Sequence, residues 1–140
     1  EYYLQNPEAP LPEHEQSQEL IDFANAVVPA GVPPRRPLDE EPRFKTGDIV
    51  RLSSNVPFGH TRLAGYVRGK VGTVIAHRGS FVYPDSAGNN LGDDPQHVYT
   101  VRFDAKELWG EKYAEPNMTT TFDAWDPYLS LVTPAEGAAA

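Results

Sequence analysis

The chain has 140 residues, 12 of them Lys or Arg and 20 Asp or Glu, for a formal net charge of −8. That length supports one modest core with an arm rather than two cores, and an acidic chain with no basic run excludes nucleic acid as the expected partner. No apolar run approaches the roughly 18 residues of a membrane span, and the absence of cysteine excludes disulfides, thiolate nucleophiles and cysteine-type zinc sites from this chain.

Proline divides the sequence. Eight of the 14 prolines precede Phe44, and each removes a ladder donor, so residues 1–42 read as an extended Pro-rich arm rather than a sheet. One short helix fits inside it, over about residues 18–28. Ser17 is the predicted N-cap, with Glu19 in the first turn. Leu20, Phe23, Ala24, Val27 and Val28 recur at helical spacing and make one apolar face, and Pro29 and Gly31 are expected to stop the helix. Residues Val32 to Pro42 read as an extended linker.

From Arg43 the pattern changes to short strands and turns. Lys45-Thr46-Gly47-Asp48 reads as a turn before the strand Ile49-Val50-Arg51-Leu52. A second strand covers Thr73 to His77, and a short third covers Phe81-Val82-Tyr83, ending at Pro84. Asp85 to Asp94, rich in Gly, Asn and Asp, reads as a long loop. His97 to Phe103 alternates, which puts Val98, Thr100 and Arg102 on one face and Tyr99, Val101 and Phe103 on the other. Thr119 to Phe122 and Tyr128 to Val132 close the set. About five short strands with Gly-rich turns predict a mainly β protein, a small antiparallel barrel over residues 43–133. A frayed tail over 134–140 completes the chain.

The segment Gly59-His60-Thr61-Arg62 falls in a loop between two predicted strands, where a rigid sheet often carries functional side chains. Loop chemistry alone favours a solvated surface loop. Arg68 lies nearby; it could support the same surface, but pairing with one of the many carboxylates is the reading taken here. His77 and His97 fall on strands without a His-x-His spacing, so no metal site is expected on this chain. Asp85, Asn89, Asp93 and Asp94 lack the spacing and closing Glu of a calcium loop and read as turn chemistry. Asn117-Met118-Thr119 is a glycosylation triplet that matters only in a secreted protein. Trp109, Trp125, Tyr128 and Phe103 read as core or interface anchors.

Several blocks occur in a fixed order: Phe44-Lys45-Thr46-Gly47-Asp48, Gly59-His60-Thr61-Arg62, Tyr66-Val67-Arg68-Gly69-Lys70-Val71-Gly72, Tyr83-Pro84-Asp85, Gln96 to Phe103, Glu107-Leu108-Trp109-Gly110 and Trp125-Asp126-Pro127-Tyr128. In wording and order they resemble the C-terminal half of nitrile hydratase β subunits. The arm, from Asn6 to Glu15, resembles the linker of cobalt-type members. The resemblance runs from about Tyr2 to Val132 and implies an SH3-like barrel. It also implies an α-subunit partner that holds Co(III) or Fe(III) on cysteines and backbone amides, two of the cysteines being oxidised. The family arginine that hydrogen-bonds those oxygens carries over to Arg62, and an outer-shell histidine carries over to His60. The residue type suits the task, since a guanidinium is always charged and offers a fixed fork of donors.

The expected activity is hydration of a nitrile to its amide in a heteromeric complex, not by this chain alone, with no metal ligand on this chain. The N-terminal half of β, with its pocket aromatics, is missing here: either this is a cleaved or truncated β subunit, or that half is expected from a separate chain, as in the split organisation of toyocamycin nitrile hydratase. The setting is expected to be cytoplasmic: no signal-peptide pattern is present and the lack of cysteine suits a reducing compartment, although the start at Glu1 leaves room for a removed leader. The alternatives are a thiocyanate hydrolase subunit, a non-catalytic SH3-like binding module and a metal-delivery chaperone. The net charge of −8 argues against a nucleic-acid-binding module.

Overall fold

In the computed structural model, residues 1–10, 13 and 15–132 are described; the tail expected over 134–140 lies outside them. The chain forms two units, Glu1–Pro33 and Pro34–Ala140.

The first unit holds α1 (Tyr2–Gln5) and α2 (Gln18–Ala30). Ser17 caps α2 as expected, its hydroxyl accepting from the Leu20 N–H at 3.3 Å. The helix runs two residues past the expected end, through Pro29. A proline in the last turn forfeits only its own bond to the carbonyl four residues back, so it does not break the turns before it. Gly31 ends the helix at φ +69°, a left-handed value that glycine adopts without strain.

The second unit is built on a five-stranded antiparallel sheet: β1 (Ile49–Leu52), β2 (Val71–Phe81), β3 (Gln96–Asp104), β4 (Thr119–Trp125) and β5 (Leu129–Leu131), in the order β4-β3-β2-β1-β5. Two short helices interrupt it, α3 (Pro84–Ala87) and α4 (Ala105–Trp109). The strand expected at Thr73–His77 runs on unbroken to Phe81 as one β2, while Val82 and Tyr83, expected in a separate strand with Phe81, lie beyond its end. Register shifts at Val74/Ala76 and His77/Gly79 bend β2, and Gly79 sits at φ +97°. Glycine here makes a bulge within the ladder instead of a turn that ends it.

Tyr99, Val101 and Phe103 on β3 are fully buried, together with Val50 and Leu52 of β1 and Val74 of β2. Each such side chain contributes about 1.5–3 kcal/mol by leaving water, and together they fix which face of the sheet is the core. Only a 3₁₀ turn, Asp126–Tyr128, joins β4 to β5, although these are the two edge strands. A flat five-stranded sheet would hold its edges about 19 Å apart, while one such turn spans about 8 Å. The sheet is therefore strongly curled, although among the described residues β4 and β5 share no ladder.

The opposite face of β3 is also partly covered. Val98 and Thr100 are buried while Arg102 is exposed. Val98 pairs across to Trp125 and Thr100 to Asp123. Residues 34–43 run extended beside β2: Val82 donates to the Pro34 carbonyl at 2.9 Å and Arg36 to that of Ser80 at 3.1 Å. This outer face floors the cleft described next.

Candidate functional site

The loop after β1 carries Gly59-His60-Thr61-Arg62, and side chains far away in sequence hold both of its ends. At one end the Asn89 carboxamide grips the His60 backbone. Its Oδ1 accepts from the His60 N–H at 2.9 Å and its Nδ2 donates to the His60 carbonyl at 3.0 Å. The same Nδ2 donates to the Asp85 carbonyl at 2.7 Å. Close approach requires glycine twice. A Cβ on Gly59, at φ +94°, would overlap Asn89, and one on Gly88 would overlap the His60 ring.

At the other end the loop rests on Tyr128, which is buried. The Tyr128 hydroxyl donates to the Asp85 carboxylate. Its oxygen accepts from the Arg62 N–H at 3.3 Å and lies 3.3 Å from the Thr61 hydroxyl. Because the only Tyr128 proton goes to Asp85, Thr61 is the donor in that contact, and its oxygen is then free to accept from the Leu63 N–H at 3.1 Å. Burial, followed by the Asp85 hydrogen bond, pushes the Tyr128 hydroxyl far above its ordinary pKa, so it remains a donor at any working pH. Tyr83 beside it is pushed up to about 12, by burial and then by the charge of Asp85.

The Arg62 guanidinium is exposed and makes no hydrogen bond or ion pair among the described residues. It lines a cleft of about 490 Å³ together with His60, Phe81, Val82, Val98, Asp123 and Trp125. The walls are mainly apolar. The Trp125 ring is fixed by its N–H, which donates to the Val82 carbonyl at 2.9 Å. Asp123 is already engaged: it accepts from the Thr100 hydroxyl at 2.5 Å, and that hydroxyl accepts from Arg78 at 2.7 Å. The cleft thus presents a charged donor fork against an apolar wall, an arrangement suited to an anionic group.

The structure brings His60 and Arg62 to one cleft and leaves Arg68, His77, His97 and Trp109 outside its lining. Arg68 does not pair with a carboxylate as expected. Its Nη2 donates to the Leu63 carbonyl at 2.9 Å, and among the described residues it has no ion pair. With its Nε buried and unpartnered, the side chain braces the loop just after Arg62. A backbone carbonyl five residues away was the closer acceptor. His77 and His97 meet each other, Nε2 to Nδ1 at 3.0 Å, and His97 Nε2 contacts the Glu40 carbonyl at 2.7 Å. In the acidic loop Asp93 pairs with Arg36 at 2.7 Å, while Asp85 and Asn89 belong to the site. Their role had no signal in the sequence beyond turn-forming chemistry. Trp109 stacks on Tyr66 at a ring separation of 5.6 Å, and both remain partly exposed.

Curl, cleft and braced loop together define a small antiparallel-sheet protein with an arginine at its cleft that no described carboxylate neutralises. The chain belongs to the family described as nitrile hydratase beta subunit, C-terminal, whose profile matches residues 33–131. It is 78% identical over 140 residues to a nitrile hydratase subunit beta from Rhodococcus sp, covering 100% of this chain and 60% of that protein. It is 54% identical over 139 residues to the cobalt-containing nitrile hydratase subunit beta of Pseudonocardia thermophila, covering 99% of this chain and 59% of that protein. The chain thus spans about three-fifths of the length of these relatives. In fold it is similar to the recombinant apo-enzyme of thiocyanate hydrolase from Thiobacillus thioparus: TM-score 0.59 and 24% identity, over 66% of this chain and 78% of the other.

Proposed function

We propose that this chain works as part of a nitrile hydratase, converting a nitrile and water to an amide in complex with an α subunit. Arg62 donates hydrogen bonds to oxidised cysteine ligands on that partner, and His60 stands behind it. The observation that carries this reading is the guanidinium itself, exposed at the cleft, without a partner among the described residues, on a loop braced at both ends. A charged side chain held in place yet unneutralised is ready for a partner's anion.

The residues present fit a donor role and not a ligand role. The chain has no cysteine, and among the described residues no three His, Asp or Glu side chains converge on one point. Cobalt is favoured over iron because relatives spanning most of this chain are described as cobalt-containing. When bound on the α subunit, the ion supplies Lewis acidity toward the nitrile. Arg62 orients and steadies the anionic oxygens around that centre, work that typically changes activity by about 10–100-fold. The apolar wall of Phe81, Val98 and Trp125 excludes water and so strengthens these charge-assisted bonds. The assembly is cytoplasmic in this proposal.

The test is Arg62→Lys and Arg62→Ala in the assembled complex. Turnover is expected to fall by about 10–100-fold, with assembly retained and Lys failing to rescue because it lacks the fork. Wild-type turnover and metal content in Arg62→Ala would overturn the assignment. Native mass spectrometry with metal analysis identifies the partner chains.

A further inference from the structure

We infer that Asn89 is a positioning residue for the proposed reaction, its carboxamide setting how His60 and Arg62 face the cleft. The inference rests on the reading of Arg62 given above. Asn89 engages both polar groups of the His60 backbone, as a neighbouring strand would, from 29 positions away in sequence. No other described group bonds to that N–H or that carbonyl. The contacts then form a closed ring. Asn89 donates to the Asp85 carbonyl, the Asp85 carboxylate accepts from Tyr128, and Tyr128 accepts from the Arg62 N–H. His60 and Arg62 are thereby fixed relative to each other by one circuit.

Only a carboxamide meets these demands. The site needs one acceptor, facing an N–H, and two donors, facing carbonyls. A carboxylate would turn an anion toward the His60 and Asp85 carbonyls. The absence of side chains on Gly59 and Gly88 has the same meaning, since a Cβ at either position would displace the Asn89 amide or the imidazole resting beside it. The short α3 and the turn after it are a seat shaped to the loop, and Asn89 is the group that locks the loop to the seat.

The experiment combines hydrogen exchange with kinetics in the assembled enzyme. In the wild type the His60 amide is expected to be protected despite lying on an exposed loop, a measurement that needs no variant. In Asn89→Ala, exchange across residues 59–62 is expected to quicken by about tenfold or more, the effect of losing two neutral hydrogen bonds. Turnover is expected to fall about tenfold with KM changed less than about twofold, since uniform binding is untouched while the arrangement needed in the transition state is loosened. Metal content is expected to stay near wild type, and the melting midpoint to fall by several degrees with the loss of the Asn89 hydrogen bonds. Asn89→Gln, which keeps donors and acceptor on a longer arm, is expected to recover part of the rate, and Asn89→Asp none. An unprotected His60 amide in the wild type overturns the clamp. Unchanged turnover in Asn89→Ala, with Arg62→Ala impaired, overturns the positioning role alone. Unchanged turnover in Arg62→Ala removes the enzymatic reading itself, whatever the exchange data show.

Discussion

Replacing Tyr128 with Phe tests the frame that carries the loop. The substitution keeps the ring in the core and deletes one oxygen. That oxygen donates to the Asp85 carboxylate and accepts from the Arg62 N–H and the Thr61 hydroxyl. A hydrogen bond to a charged group contributes about 1.5–3 kcal/mol. The other two contacts, at 3.3 Å, are longer than the roughly 2.7–3.2 Å of an N–H···O bond and the roughly 2.5–3.0 Å of an O–H···O bond, and contribute little on their own. They leave a partly buried N–H and hydroxyl without a partner, so the expected total loss is about 2–4 kcal/mol. For a unit of this size that corresponds to a melting temperature lower by about 10–20 °C. Urea denaturation of the full chain provides the assay: the midpoint should drop while the m-value stays constant, because the surface exposed on unfolding is unchanged. A loss below about 0.5 kcal/mol, the range of an ordinary surface substitution, would show that the tyrosine hydroxyl does not hold the loop.

Two further predictions concern groups around the site and the sheet. Gly59→Ala places a Cβ at φ +94° and against Asn89, and should cost about 1–3 kcal/mol; a variant as stable as wild type would mean that the loop and the Asn89 seat are not in contact. The His77 imidazole is held below its ordinary pKa by burial and then by neighbouring His97. In the unfolded chain it takes its proton near pH 6.5, before the folded chain does. Its contribution to stability is therefore complete above about pH 7, is lost as the pH falls through 6.5 toward the lower folded value, and then levels off. Urea midpoints between pH 5 and 8 should show that slope, and His77→Gln should flatten it; an undiminished slope in the variant would assign the effect to other groups.

Much of the sheet was legible because its cause is local. Alternation from His97 to Phe103 marked a strand and its two faces, and burial of Tyr99, Val101 and Phe103 follows it. Ser17 was recognisable as a cap because its partner lies three residues on. β2 is longer than the strand expected over Thr73 to His77, and only pairing with β3 shows that the ladder continues past Gly79. Arg68 was assigned to a carboxylate on charge alone, but geometry delivered it to the Leu63 carbonyl.

The sequence by itself determined that the chain is mainly β, that a loop would present His60 and Arg62, and that no cysteine ligand could come from these residues, since they include no cysteine. What holds the loop was decided only by the tertiary structure. Asn89, Asp85 and Tyr128 lie 29 to 67 positions from the groups they meet across the loop. Periodicity records which side of an element faces the core, a property repeated along the chain. A polar side chain that bonds a distant backbone leaves no repeating trace, because its partner is chosen by how the sheet curls.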